Sequence, residues 1–131
     1  MYAKPEFEEP AIRDAYAAQR EALEGVRAWC SERSVRLIVV LLPDVLQVDH
    51  ELFEAVLEEA GLPREQGDLE RPRKLIADWA QEQGVELLDM TGPFREALDS
   101  GAAPFLYRDI HLSVEGHELV GAALAERLLA E

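Results

Sequence analysis

Val35-Arg36-Leu37-Ile38-Val39-Val40-Leu41-Leu42-Pro43 is the stretch that decides the fold. It is rich in β-branched residues and shows no polar alternation, which predicts a strand covered on both faces, ended by Pro43. Its apolar run, Leu37 to Leu42, is strand-sized and far short of a membrane helix. A second short apolar strand is predicted over Val85 to Met90. Between and around the two lie helical patterns, so the order is helix, strand, helices, strand, helices. That order predicts an α/β fold with parallel strands, a right-handed crossover and helices flanking the sheet in three layers.

Upstream, apolar residues recur at Ile12, Tyr16, Leu23, Val26 and Trp29, the three-to-four spacing of a long helix ending near Cys30. Arg13, Gln19, Glu24 and Arg27 fall on its other face. Downstream, Asp49 is placed to cap a helix over 50–60 with Leu52, Phe53, Val56 and Leu57 as one stripe, stopped by Gly61-Leu62-Pro63. Pro72 suits the first turn of the next helix, which turns Leu75, Ile76 and Trp79 inward and stops at Gly84. Thr91-Gly92-Pro93 is expected as a turn, 94–98 as a short helix, and Asp99-Ser100-Gly101 as another turn. Ser113 is placed to cap the last helix, whose Val120, Ala123, Leu124 and Leu128 share a face.

Two strands make a poor sheet. Strands this apolar want neighbours on both edges, which leaves three sources open: a partner chain or second copy, a short edge strand within 102–107, or a portion of the domain outside this sequence. The 131 residues are one domain's worth, enough to remove roughly two thirds of the unfolded surface from water. With 13 Lys and Arg against 27 Asp and Glu, the net charge of −14 opposes binding to nucleic acid or anionic lipid. The small basic group Arg71, Arg73, Lys74 is expected as a solvated helix start. One cysteine, Cys30, cannot form an internal disulfide and is expected to pack. No signal core opens the chain, so a cytoplasmic location is expected for the sequence as it stands. No cofactor signature is present.

The chemistry sits late in the chain, at Tyr107-Arg108-Asp109-Ile110-His111-Leu112-Ser113. An acid and a histidine two residues apart project to the same side. A carboxylate on one imidazole nitrogen fixes the tautomer and leaves the other nitrogen as a general base. A structural loop hydrogen bond is the plain alternative, and a metal site of Asp109, His111 and His117 a further one. Asp89 is expected to bind turn amides, Asp44 to lie at the carboxyl rim of the sheet where α/β ligands bind. Trp29 and Trp79 sit at core spacing.

The longer string Leu106-Tyr107-x-Asp109-x-His111-Leu112-x-x-x-Gly116-His117, followed by an alanine-rich helix, resembles the closing block of SGNH/GDSL-type hydrolases. It looks closest to the alginate O-acetyltransferase-like branch. The resemblance runs back through Leu37–Pro43, Arg71-Pro72 to Trp79, and Gly84 to Met90, and so implies the C-terminal portion of such a domain. It implies Asp109 and His111 as the acid and base of a Ser-His-Asp triad acting on O-acyl esters, often of sugars. Related sequences tend to carry Asn where this chain has Ser113, and the family's Gly-Asp-Ser and Gly-x-Asn-Asp blocks are absent. None of Ser31, Ser34, Ser100 and Ser113 stands out as a nucleophile, because that role needs a neighbouring base and oxyanion donors together. An ester hydrolase or O-acyltransferase domain is one implied function. A non-catalytic binding or assembly module on the same scaffold is the other.

Overall fold

The computed structural model describes residues 4, 5, 9–106 and 109–130. Its elements are α1 (Pro10–Glu32), β1 (Ile38–Leu41), α2 (Val45–Val48), α3 (His50–Ala60), a 3-10 turn at Arg64–Gln66, α4 (Arg71–Gln83), β2 (Glu86–Asp89), α5 (Thr91–Asp99) and α6 (Val114–Leu129). β1 and β2 form a two-stranded parallel sheet in a mostly helical chain, an incomplete α/β fold. Every residue of both strands is half-buried rather than fully covered. No third strand occurs among the described residues: the 102–107 segment contributes one antiparallel bridge, Phe105 with Leu112. Tyr107 of that segment lies outside the described residues.

The chain divides into two compact units, Met1–Val39 with Leu57–Leu87, and Val40–Val56 with Leu88–Glu131. In the first, α1 and α4 run into β1 and β2 through the same backbone device. Each helix is closed by a residue in the left-handed region, Ser34 (φ 53°) after α1 and Gly84 (φ 62°) after α4. The next residue then donates back into the helix, Val35 N–H to Cys30 O and Val85 N–H to Ala80 O, both at 2.9 Å. Gly84 meets this geometry without a Cβ cost, whereas Ser34 does not. At the strand starts, Arg36 clasps Glu86 with two bonds of 2.7 and 2.9 Å. Among the described residues of this unit, Trp79, Ala80, Leu69, Leu57 and Cys30 are buried.

Helical spacing overstated how much of this unit is covered. Trp29 is 54% exposed and lies under the Arg33 guanidinium, 4.5 Å from its ring centre. Val26 is exposed too, and Ile12, Tyr16 and Leu23 are only half-buried. Leu75 is likewise on the surface while Trp79, one turn on, is buried. The basic group at the start of α4 is dispersed: Arg73 bonds Glu70 at 2.7 Å and Arg71 lies over the Tyr16 ring.

The second unit has a buried cluster of its own. Val48, Met90, Phe94 and Phe105 form its buried centre, with Val40, Val45, Leu88, Leu112, Leu119, Val120 and Ala123 among the residues packed on it. Phe94 is fully buried and its ring meets that of Phe105 at 5.3 Å, tilted by 54°. Of the expected α6 face, Val120 and Ala123 pack on this core together with Leu119, Leu124 is half-buried, and Leu128 is exposed near the helix end. In α3, Phe53 is buried and the predicted stripe partners Leu52 and Val56 are exposed.

Two local readings need correction. Thr91-Gly92-Pro93 is the first turn of α5, not a separate turn. The Asp89 carboxylate accepts the Thr91 N–H at 2.9 Å, Phe94 N–H bonds Met90 O, and Pro93 sits where a helix has no use for a donor. Residues 45–48, unassigned by periodicity, form a single turn closed by a capping box. There Asp44 Oδ1 accepts the Leu46 N–H and Gln47 Oε1 accepts the Asp44 N–H, both at 2.9 Å. Asp44 is therefore a helix cap.

Candidate active site

The segment between α5 and α6 leaves the core, turns and returns. Gly101 (φ 87°) starts it, and two anchors fix its root. Ser113 N–H donates to Pro104 O at 2.9 Å, and the Ser113 hydroxyl donates to Ala103 O at 2.6 Å while accepting the Gly116 N–H at 3.1 Å. Ser113 is thus the predicted cap of α6, with its proton committed to a carbonyl. Glu115 adds a third tie by accepting the Ala103 N–H at 2.8 Å.

Gly116 explains why the helix can start so close. A Cβ at this position would lie 2.2 Å from Pro104 O and 3.1 Å from Pro104 C, both backbone atoms. Only glycine lets the first turn of α6 sit against the Pro104 peptide. The Gly-His pair at 116–117 is conspicuous in the sequence, yet this use of the glycine depends on a residue twelve positions earlier. His117 donates its Nδ1 proton to Ser113 O at 2.8 Å, since a carbonyl only accepts. That makes His117 a second brace of the helix start.

Beyond the root, Phe105 and Leu112 pair across the segment and pack into the same cluster as Val40, Leu88 and Met90. The root therefore stands beside the strand ends within this unit, the rim where α/β folds bind ligands. The tip is closed by Leu106 N–H to His111 O at 2.9 Å and Asp109 N–H to Leu106 O at 3.0 Å.

Within this tip, Asp109 Oδ1 accepts both the His111 backbone N–H, at 3.1 Å, and His111 Nδ1, at 2.5 Å. The first bond is the short-range turn that Asp makes with the residue two ahead, and it swings the ring onto the same oxygen. The His111 ring bond, then its backbone N–H, hold the Asp109 carboxyl below the usual carboxylate range. A carboxylate on Nδ1 fixes the proton there and leaves Nε2 with its lone pair. Nε2 has no partner among the described residues, and the side chain is 76% exposed against 44% for Asp109. Ile110 and Leu106 flank the pair as exposed apolar residues.

The remaining histidine and serines lie elsewhere. His50 is exposed at the start of α3, and Ser100 donates its hydroxyl to Ala97 O at 2.8 Å. Ser31 and Ser34 belong to the other unit. Among the described residues no three acidic, histidine or cysteine side chains are grouped to hold a metal ion. No described helix is long and apolar enough to cross a membrane.

The fold is thus an incomplete α/β sheet of two parallel strands, and Asp109 and His111 are bonded to each other in the segment before α6. Residues 1–131 match the family described as SGNH hydrolase-like domain, acetyltransferase AlgX, and the chain belongs to that family. No curated protein matches the chain, and no solved structure does.

Proposed function

We propose that the chain supplies the acid–base half of an O-acyl transfer site, with an acylated carbohydrate as substrate. One observation carries the reading: His111 Nδ1 is bonded to Asp109 while Nε2 stands free at an exposed tip whose root is anchored in the core. Membership of an acetyltransferase-type family supports an acyl group as the unit transferred. His111 Nε2 takes the proton of an attacking hydroxyl, whose oxygen forms a bond to the acyl carbonyl carbon. The ester bond to the leaving sugar oxygen then breaks and the imidazolium returns the proton to that oxygen. Repetition with a second hydroxyl or with water delivers the acyl group.

The nucleophile, on this reading, comes from a segment or chain other than these 131 residues, which form the C-terminal portion of one domain. Both serine hydroxyls of the second unit are already donated to backbone carbonyls, which supports that assignment. A non-catalytic assembly module remains the second reading. It is favoured by the exposure of His111, because acyl transfer proceeds best where water is excluded.

The test pairs a fluorophosphonate probe, read by intact mass, with p-nitrophenyl acetate hydrolysis by the chain and by His111→Ala and His117→Ala. The proposal expects no adduct, and slow ester hydrolysis that falls to background in His111→Ala and survives in His117→Ala. Hydrolysis unaffected by His111→Ala contradicts the base assignment and favours the assembly module. A stoichiometric adduct contradicts the external nucleophile.

A further inference from the structure

The antiparallel bridge of Phe105 with Leu112 sets the register of the segment before α6. One step outward Leu106 stands opposite His111, and the Leu106 N–H donates to His111 O at 2.9 Å. Residues opposed in an antiparallel pair carry their side chains on one face, about 4.5–5.5 Å apart at Cβ, and the next pair along faces the other way. Exposure follows that rule. Phe105 is buried and Leu112 packs on the same cluster, whereas Leu106 is 49% exposed and the His111 side chain 76%. Leu106 is therefore the cross-strand neighbour of His111 on the outward face.

The two neighbours of the imidazole differ in chemistry. Asp109 holds Nδ1 from within the same turn. Leu106, from the opposite arm, brings an alkyl surface that has no donor or acceptor to compete for the Nε2 lone pair. A large apolar side chain left half in water beside a free base offers contact to the apolar part of whatever reacts there. Ile110 is also exposed, at 65%, but lies one residue off this register, in the bend.

We infer that Leu106 is a specificity-determining residue for the acyl group: the alkyl part of a short, uncharged acyl chain lies against its side chain while the ester carbonyl carbon meets a hydroxyl deprotonated at His111 Nε2. This rests on the reading of His111 as the base. A leucine has nothing to bond a sugar hydroxyl, so it suits the acyl moiety of the ester and not the carbohydrate. One leucine gives a one-sided contact, not an enclosing pocket. Full burial of a methylene brings about fourfold, and a contact on one side should bring about twofold.

The full chain is assayed with p-nitrophenyl acetate, propionate and butyrate, and each kcat/KM is divided by the rate constant of free imidazole with the same ester, which removes the ester's own reactivity. The normalised value is expected to rise about twofold per added methylene. That rise should flatten in Leu106→Ser and persist in Ile110→Ser, while His111→Ala brings all three esters to background. A flat series in the parent, a rise unchanged in Leu106→Ser, or an equal flattening in Ile110→Ser overturns the inference. So does a Leu106→Ser protein that loses the three esters in equal proportion, the mark of a merely structural role. Hydrolysis independent of His111 overturns the base reading and this inference with it, whereas a flat but His111-dependent series overturns this inference alone. Should Leu106→Ser fail to fold, the parent series and Leu106→Val decide: a flat parent, or a rise unchanged by trimming to valine, overturns it.

Discussion

The root and the tip of the segment between α5 and α6 are built on opposite plans. The root, Ala103–Phe105 against Leu112–Gly116, is tied by backbone and side-chain bonds to the start of α6, and Phe105 is buried against Phe94. At the tip, Leu106, Asp109 and His111 bond one another, and Asp109 and His111 are exposed. Stability is therefore invested in the root and chemistry in the tip. Substitutions in the two places should fail in different ways.

The largest effect is expected at the root's centre. Phe105→Ala removes a buried ring and should cost roughly 3–5 kcal/mol in denaturant unfolding. Gly116→Ala forces a Cβ into the Pro104 peptide and should cost about 1–3 kcal/mol, with shifted amide signals through the tip as its register moves. A Gly116→Ala protein as stable as the parent would break the account of the root. Ser113→Ala loses the cap of α6 and the bond to Ala103, for about 1 kcal/mol, read as a lower Tm.

At the tip the expectation reverses. Asp109→Asn should leave the unfolding midpoint essentially unchanged while lowering the His111-dependent ester hydrolysis. Because the folded Asp109 value is depressed, the stabilising contribution of its pairing is whole above the ordinary carboxylate value and fades as pH falls through the depressed one. A 13C titration of the Asp109 carboxyl should give a midpoint below that of an unpaired Asp. A midpoint in the ordinary range would contradict the bonded pair. The one expected gain is small: Ser34→Gly relieves a left-handed serine and should raise stability by a few tenths of a kcal/mol up to about 1 kcal/mol, making the two helix-to-strand junctions alike.

What the sequence made legible was local. The Asp109–His111 spacing, the Ser113 cap, the Gly84 stop, the Asp49 cap of α3 and the Asp89 turn contact each involve residues within a few positions, and each stands as expected. Coverage was not legible. Periodicity marks Val26, Trp29, Leu52 and Val56 as apolar, but whether anything lies over them depends on the rest of the domain, and here they are exposed. The α2 turn is too short for a period to register. Ser34 carries no glycine signal for its positive φ, and the demand on Gly116 comes from Pro104, which no local pattern encodes.

The tautomer of His111 tests the central claim most directly, through its ring 15N shifts near neutral pH in the parent and in Asp109→Asn. The account predicts a proton held on Nδ1 in the parent, with Nε2 unprotonated, and a loss of that preference in the variant. A proton on Nε2 in the parent, or a tautomer ratio unchanged by Asp109→Asn, would mean that Asp109 does not orient the base.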